Sequence, residues 1–529
     1  MPTDAWPLDS PMLPPLVLRP PHGPRLVRLL VMILAGMFHL GTAGWSVITN
    51  GPEGELASGV QSFAGPLLTW LTRLSFTVFG VNEFTARLPT ALGVMAAVWF
   101  TLRLAERFGG IWRGFVAALI LICCPGMFTL GRIMTPFPLT AAFLAAAFYF
   151  LECGWQSHPL PVRRRWLLLA WFAWSGSTLA GGWSAAGVIP LGIVLLALFF
   201  REARLRFRAL FSWEGGLILI LTLAVMSAVG FYPGARWIAS GEVLPTWKLF
   251  CWQIGLLFPW SLLLLPAAGK TLWKLARWQP LEWNEAFPLA WVAGAGLLTL
   301  ADRSSLFPLL AWPGFAVWAA GELATLHRKS FLRWSFLTVL TALGGLFLIA
   351  RMRDWLPLVF PDKAPVFTAI PDFFWFAVSP VASIALLAFL LFGAAAFCAE
   401  FVHNRRFALL AWFAAMIPAG FAFADIGAKF APYFSDAALA RCIRSEAGPQ
   451  RPVVVSADLA PGEISSLAFY LGTDNGIQTL PRSNWTPPFF LVIPRDRLPY
   501  WKRNLPGSVE AECAGGEHLL LSVRPPNVP

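Results

Sequence analysis

GPEGELASGVQSFAGPLLTWLTRLSFTVFGVNEFTARLP, residues 51–89, lies between two apolar runs near the start of the chain. It opens on two closely spaced carboxylates, Glu53 and Glu55, and then turns amphipathic. In PLLTWLTRLSFTVFG, Leu67, Trp70, Leu71, Leu74 and Val78 recur at helical spacing, while Thr69, Thr72, Arg73 and Thr77 fall on the other side. That pattern predicts a helix lying flat in a membrane interface, ended by Gly80. Asn82, Glu83 and Arg87 then lead into the next apolar run, with Pro89 near its start.

The composition places this stretch in a membrane. Of 529 residues, 57% are hydrophobic and 13% charged, whereas a soluble globular chain carries about a quarter charged residues. Thirteen candidate spans follow, at 27–47, 88–105, 113–130, 136–154, 165–181, 183–200, 212–231, 250–268, 285–301, 305–323, 333–350, 373–398 and 406–424. The first residues are Pro-rich and mildly basic, without the short apolar segment and cleavage site of a signal peptide, so 1–26 reads as a cytoplasmic tail.

The distribution of charge tests this organisation. With the N-terminus inside, the inside segments hold 21 of the 40 Lys and Arg residues and the outside loops between spans hold nine. The net charge of +12 is therefore a topology signal that obeys the positive-inside rule, and a nucleic-acid partner is disfavoured. The expected fold is mainly α: a polytopic transmembrane bundle over 27–424 with a first outer loop at 48–87, followed by a small extracytoplasmic α/β domain at 425–529. In that tail PVVVSAD (452–458), IQTL (477–480), FFLVI (489–493) and HLLLSV (518–523) read as strands, with helices at 463–472 and 495–503. Cys442 and Cys513 are its only cysteines, and a disulfide and two free thiols both fit the sequence.

FGVNEFTARLPTALG (79–93), preceded by an acidic loop and LLTWL, resembles the first outer loop of the aminoarabinose transferase and protein O-mannosyltransferase group, membrane glycosyltransferases of the GT-C fold. GRIMTPFPLTAAFLAAAFYF (131–150), FPWSLLLLP (258–266), SLFPLLAWPGFAVWAAGEL (305–323) and VVVSADLAPGEISSLAFYLG (453–472) extend the resemblance over nearly the whole chain. It implies an enzyme of the cytoplasmic (inner) membrane that takes a sugar from a polyprenyl-phosphate carrier and passes it to an acceptor at the outer face. Such transfer needs an acidic side chain to orient or deprotonate the acceptor hydroxyl. It also needs positive charge, from Arg, Lys or a divalent cation, on the departing lipid phosphate.

The chain departs from the family pattern at the acid. Pro52 stands where the loop aspartate is expected, Glu53 follows it, and Glu55 is an additional carboxylate. The segment between SG and LLTWL is shortened to VQSFAGP and lacks the family's lysine; TPFP (135–138) replaces a second acidic position after Arg132; Gly181-Gly182 replaces Lys-Gly. The candidate acids are Glu53 and Glu55, and the candidate phosphate or substrate ligands are Arg87, Arg132, Lys248 and Arg303. Solvated loop carboxylates, a snorkelling Arg87 and a local Asp302–Arg303 pair are the bland readings of the same residues. His39, inside the first span, reads as a neutral, hydrogen-bonded core residue. No Cys/His spacing suggests zinc, and no Gly-rich loop follows a strand, which disfavours a nucleotide-sugar donor. The rival reading is a non-catalytic scaffold or lipid-binding protein that keeps the fold; a transporter is disfavoured because the spans carry almost no mid-membrane charge and show no repeat.

Overall fold

The computed structural model describes residues 23–49, 53, 57, 66–157, 160–200, 213–228, 255–257, 260–277, 279, 281–302, 310–326, 328–350, 352–359, 370, 372–446, 453–456, 459, 465–471, 477–478, 489–505, 508–515 and 517–524. Helices dominate it. The elements that position the site are α1 (Gly23–His39), α2 (Pro66–Phe79), α3 (Glu83–Ile122), α4 (Pro125–Leu130), α5 (Phe137–Gln156) and α6 (Leu160–Phe199). Four described helical stretches are long and apolar enough to cross a membrane: Glu83–Ile122, Phe137–Gln156, Pro380–Phe401 and Arg405–Phe434.

Glycines break two of the long helices where the sequence predicts hairpins. In α3 the break is at Gly109 and Gly110, the latter at φ 75°. In α6 it is the single Gly182, at φ 73°, so the turn between the spans expected at 165–181 and 183–200 is one residue long. Only glycine takes that backbone region without a Cβ penalty. The first span is corrected in length. Its helix stops at His39 rather than 47, and residues 40–49 leave the helix as turns, bends and irregular chain. The helix in the predicted span 113–130 likewise stops at Ile122, and short α4 follows.

The helices wear apolar side chains on both faces. α1 buries Val31, Ala35 and Phe38 against the bundle and exposes Leu26, Leu29, Leu30, Ile33 and Met37. An outward apolar stripe of that kind is expected of a helix solvated by hydrocarbon.

The motif at 79–93 is a helix-start device. Gly80, at φ 78°, closes α2. Asn82 caps α3: its Oδ1 accepts the Thr85 N–H at 2.9 Å, and Thr85 Oγ1 accepts the Asn82 N–H at 3.1 Å. Pro89 has no N–H to give the Thr85 carbonyl four residues earlier, and Ser75 Oγ from α2 donates to that carbonyl at 2.7 Å instead. α2 is thereby pinned on α3. Its orientation follows: Leu68, Thr72 and Ser75 are buried, while Trp70, Leu74, Val78 and Phe79 are exposed.

The C-terminal domain is a five-stranded mixed sheet in the order β2-β1-β3-β5-β4. Its strands are β1 (Val453–Val455), β2 (Ile477–Gln478), β3 (Phe489–Pro494), β4 (Ser508–Gly515) and β5 (His518–Arg524), with helices at Ala437–Glu446, Ser465–Leu471 and Leu498–Asn504. β1 pairs in parallel with β2 and β3, β3 pairs antiparallel with β5, and β4 forms an antiparallel edge on β5. Cys442 and Cys513 form a disulfide tying the helix Ala437–Glu446 to β4.

Candidate functional site

The centre of the site is the stretch that leaves α1 early. Arg87, on the first turns of α3, is 1% exposed and reaches under residues 43–47. Its Nη1 donates to the carbonyls of Ala43 (3.1 Å) and Ser46 (2.5 Å), and its Nη2 to that of Val47 (3.0 Å). Its Nε donates to Glu53 Oε1 at 2.7 Å. Glu53 is 4% exposed. Its Oε1 also accepts the Met134 N–H at 3.2 Å, and its Oε2 accepts the N–H and Oγ1–H of Thr49, both at 3.1 Å. The pair thus binds a strap, described at residues 42–49 and Glu53, to α3 and to the 131–136 turn. Snorkelling is excluded for Arg87, and Glu53 is not a solvated loop carboxylate. A buried pair costs several kcal/mol to desolvate, offset only when its remaining polar atoms are satisfied, as they are here.

Arg132 stands two residues from the Met134 amide. It is half-buried, and its Nη2 donates to the Thr42 carbonyl at 3.3 Å. Its Nε is buried with no hydrogen-bond partner among the described residues. The guanidinium lies 5.0 Å from the Phe128 ring centroid and 5.8 Å from that of Trp45. Burial, and then the nearby Arg87 charge, lower its pKa to about 10. It remains a cation at neutral pH with donors to spare. His39 is fully buried beside it, against Phe128, but neither ring nitrogen has a hydrogen-bond partner among the described residues. The expectation of a hydrogen-bonded core histidine is therefore corrected to a packed one: its Nδ1 lies 2.7 Å from where a Cβ on Gly131 would sit.

Of the residues singled out from sequence, Glu53 and Arg87 meet directly and Arg132 joins them through the 131–134 turn. Glu55, Lys248 and Arg303 lie outside the described residues. Among the described residues no group of three or more His, Cys, Asp or Glu side chains has the arrangement to hold a metal ion.

Two further components were not marked by the sequence. An apolar groove of about 630 Å³ runs between α2, α3, α5 and α6, its walls including Leu74, Leu92, Phe100, Leu139 and Phe143. Leu88 and Pro89, immediately after Arg87, form one end of its lining. The second is the C-terminal domain: Tyr470 Oη donates to Glu83 Oε1 at 3.1 Å and accepts the Ile48 N–H at 2.8 Å. Burial raises the Tyr470 phenol above its ordinary pKa, so it remains the neutral donor this contact needs.

Comparison with known proteins agrees with this architecture. The chain superposes on the crystal structure of ArnT from Cupriavidus metallidurans bound to undecaprenyl phosphate with a TM-score of 0.75 at 18% identity, over 93% of this chain and 97% of that one. The apo form of ArnT gives a TM-score of 0.71 at the same identity and coverage. The chain has the GT-C glycosyltransferase fold. Residues 64–230, from just before α2 to the end of the seventh expected span, match the dolichyl-phosphate-mannose-protein mannosyltransferase family. No curated protein matches the chain by sequence. The GT-C fold makes it a multi-pass membrane protein. The α2–α3 corner falls within the residues that match the family, and the strap immediately precedes them.

Proposed function

We propose that the protein is a membrane glycosyltransferase that takes a sugar from a polyprenyl-phosphate carrier. The observation that carries this reading is the pairing of an apolar groove with a buried cationic corner. The groove between α2, α3, α5 and α6 suits a prenyl chain, and Arg132 offers a charge with unengaged donors to a phosphate. The undecaprenyl phosphate in the similar ArnT structure supports the choice of carrier. We place the site at the outer face of the cytoplasmic membrane, with the N-terminus inside, on the distribution of Lys and Arg. The thirteen-span count rests on the same pattern.

The acid is assigned by elimination within the loop. Glu53 has both oxygens engaged by four donors of this chain, so its part is to hold the strap. Glu55 is then the carboxylate for the acceptor hydroxyl, with Arg132, Lys248 and Arg303 as the candidates to meet the departing phosphate. Purified protein in lipid vesicles, supplied with polyprenyl-phosphate sugars, tests this. Glu55→Gln is expected to abolish transfer without loss of thermal stability, whereas Glu53→Gln is expected to lose both. Full transfer in Glu55→Gln removes that assignment.

One observation favours a second reading. The engagement of Glu53 by its neighbours is what a chain keeping the fold as a scaffold would retain. No transfer by the wild type with any carrier, together with retained lipid-phosphate binding, would select that reading.

A further inference from the structure

Ile48 is held from both sides by the C-terminal domain. Its N–H donates to Tyr470 Oη at 2.8 Å, and its carbonyl accepts Ser435 Oγ–H at 2.5 Å. Its side chain is 0% exposed, packed with Leu68 of α2, Ala86 of α3, Met134, Leu139 of α5, Ala180 of α6 and Phe469 of the C-terminal domain. The same residue is therefore a peg in a socket whose walls come from the bundle and from the sheet domain together. The bundle holds the flanking residues: Arg132 binds the Thr42 carbonyl, Arg87 binds those of Ala43, Ser46 and Val47, and Glu53 binds Thr49. Ile48 is held by the C-terminal domain, and both of its backbone polar groups go there.

We propose that Tyr470 and Ser435 are positioning residues for the membrane site, so that the strap carrying Glu53 takes its working conformation only with the C-terminal domain docked. The physical reason is the burial of Ile48. A buried backbone N–H or C=O without a partner is costly, and the partners of Ile48 here are Tyr470 and Ser435. Tyr470 also ties the same point to the first turn of α3 through Glu83, so the domain fixes the distance between the strap and the Arg87 helix. Phe469, beside Tyr470, stands 6.4 Å by ring centroid from Phe76 of α2, which extends the contact to the helix lining the groove. The C-terminal domain is thus built into the site rather than appended to the bundle. The positioning claim concerns the strap itself; its effect on turnover rests on the glycosyltransferase reading above.

The test uses the full-length protein in nanodiscs. Tyr470→Phe keeps the ring in its apolar socket and removes only the hydroxyl; Ser435→Ala removes the second bond. Backbone hydrogen exchange over residues 43–53 is expected to rise about tenfold in each variant, the scale of one lost buried hydrogen bond, with exchange in β3 and β5 unchanged. Transfer from a polyprenyl-phosphate sugar is expected to fall about tenfold in kcat with KM for the carrier held, because the groove is intact. Unchanged exchange over 43–53 in both variants overturns the proposal, as does an equal rise throughout the sheet, which would mark general destabilisation. An absence of transfer in the wild type would sink the glycosyltransferase reading, while the exchange data would still decide the positioning role.

Discussion

Arg87 and Glu53 show how far a single residue type reaches. A planar guanidinium with five donors is the side chain that meets three carbonyls and a carboxylate at once, and lysine lacks that fork. Arg87→Met is expected to destabilise the protein by about 3–5 kcal/mol, because Glu53 is left as an uncompensated buried charge. The double variant Arg87→Met/Glu53→Leu is expected to be less destabilised than Arg87→Met alone. Thermal unfolding in detergent reads both. Arg132 differs from Arg87 in having donors unused, and its pKa is moved down to about 10. Protonated below that value, it is expected to hold a lipid phosphate across pH 6–9 and, because the bound anion favours the charged form, to release it only as pH rises above about 10. The unfolded chain, with the higher ordinary Arg pKa, binds the extra proton above about pH 10, so discharge of Arg132 in the folded protein adds to stability as pH rises through that value. Titrating undecaprenyl-phosphate affinity against pH, with Arg132→Gln as the control, checks the first half of this.

At the scale of elements, the α2–α3 corner was the most legible part of the sequence. Gly80 as a stop and the helix over 66–79 follow from local chemistry that needs no partner, whereas the Asn82 cap is a finding of the structure. The orientation of α2 does not follow from that chemistry either. Spacing marks a polar and an apolar face but not which of them packs on the bundle, and in the structure Thr72 and Ser75 are buried while Leu74 and Val78 are exposed. The Ser75–Thr85 bond gives this corner a specific test. Ser75→Ala leaves the Thr85 carbonyl without its donor and is expected to cost about 1–3 kcal/mol. Adding Pro89→Ala restores an N–H four residues on and is expected to recover part of that loss. Unfolding midpoints of the two variants compare directly. In the C-terminal sheet, β4 is not read from the sequence because its alternation, Val509, Ala511 and Cys513 between Glu510 and Glu512, is carried largely by small residues and by weak strand formers; as an exposed edge strand it buries little and is held by β5 and the disulfide.

Across the whole molecule the basic residues have two roles. Counted in loops they carry the expected topology, but in the structure several are bolts between helices. Arg28 holds Glu106 with two bonds of 3.0 Å, Lys274 holds Glu285 at 2.7 Å, and Arg405 holds Glu400 at 2.6 Å. The disulfide is a bolt of another kind. Its closure of the chain between Cys442 and Cys513 is expected to contribute about 4 kcal/mol to the sheet domain. Reduction should therefore raise hydrogen exchange in β4 and in the strap that the domain holds, while leaving α3 and α5 unchanged; equal exchange everywhere would deny the strap's dependence on the domain.

The sequence by itself determined the class: a polytopic bundle with a small mixed domain behind it, because hydropathy, charge asymmetry and capping residues act within a window of a few turns. It also singled out Glu53, Arg87 and Arg132. Only the tertiary structure decided that Glu53 is spent on Arg87, Thr49 and Met134, and that Ile48 answers to Tyr470 and Ser435. Those partners lie far apart along the chain. What a buried carboxylate or backbone amide does is set by which groups close around it, and that is fixed by packing, not by spacing.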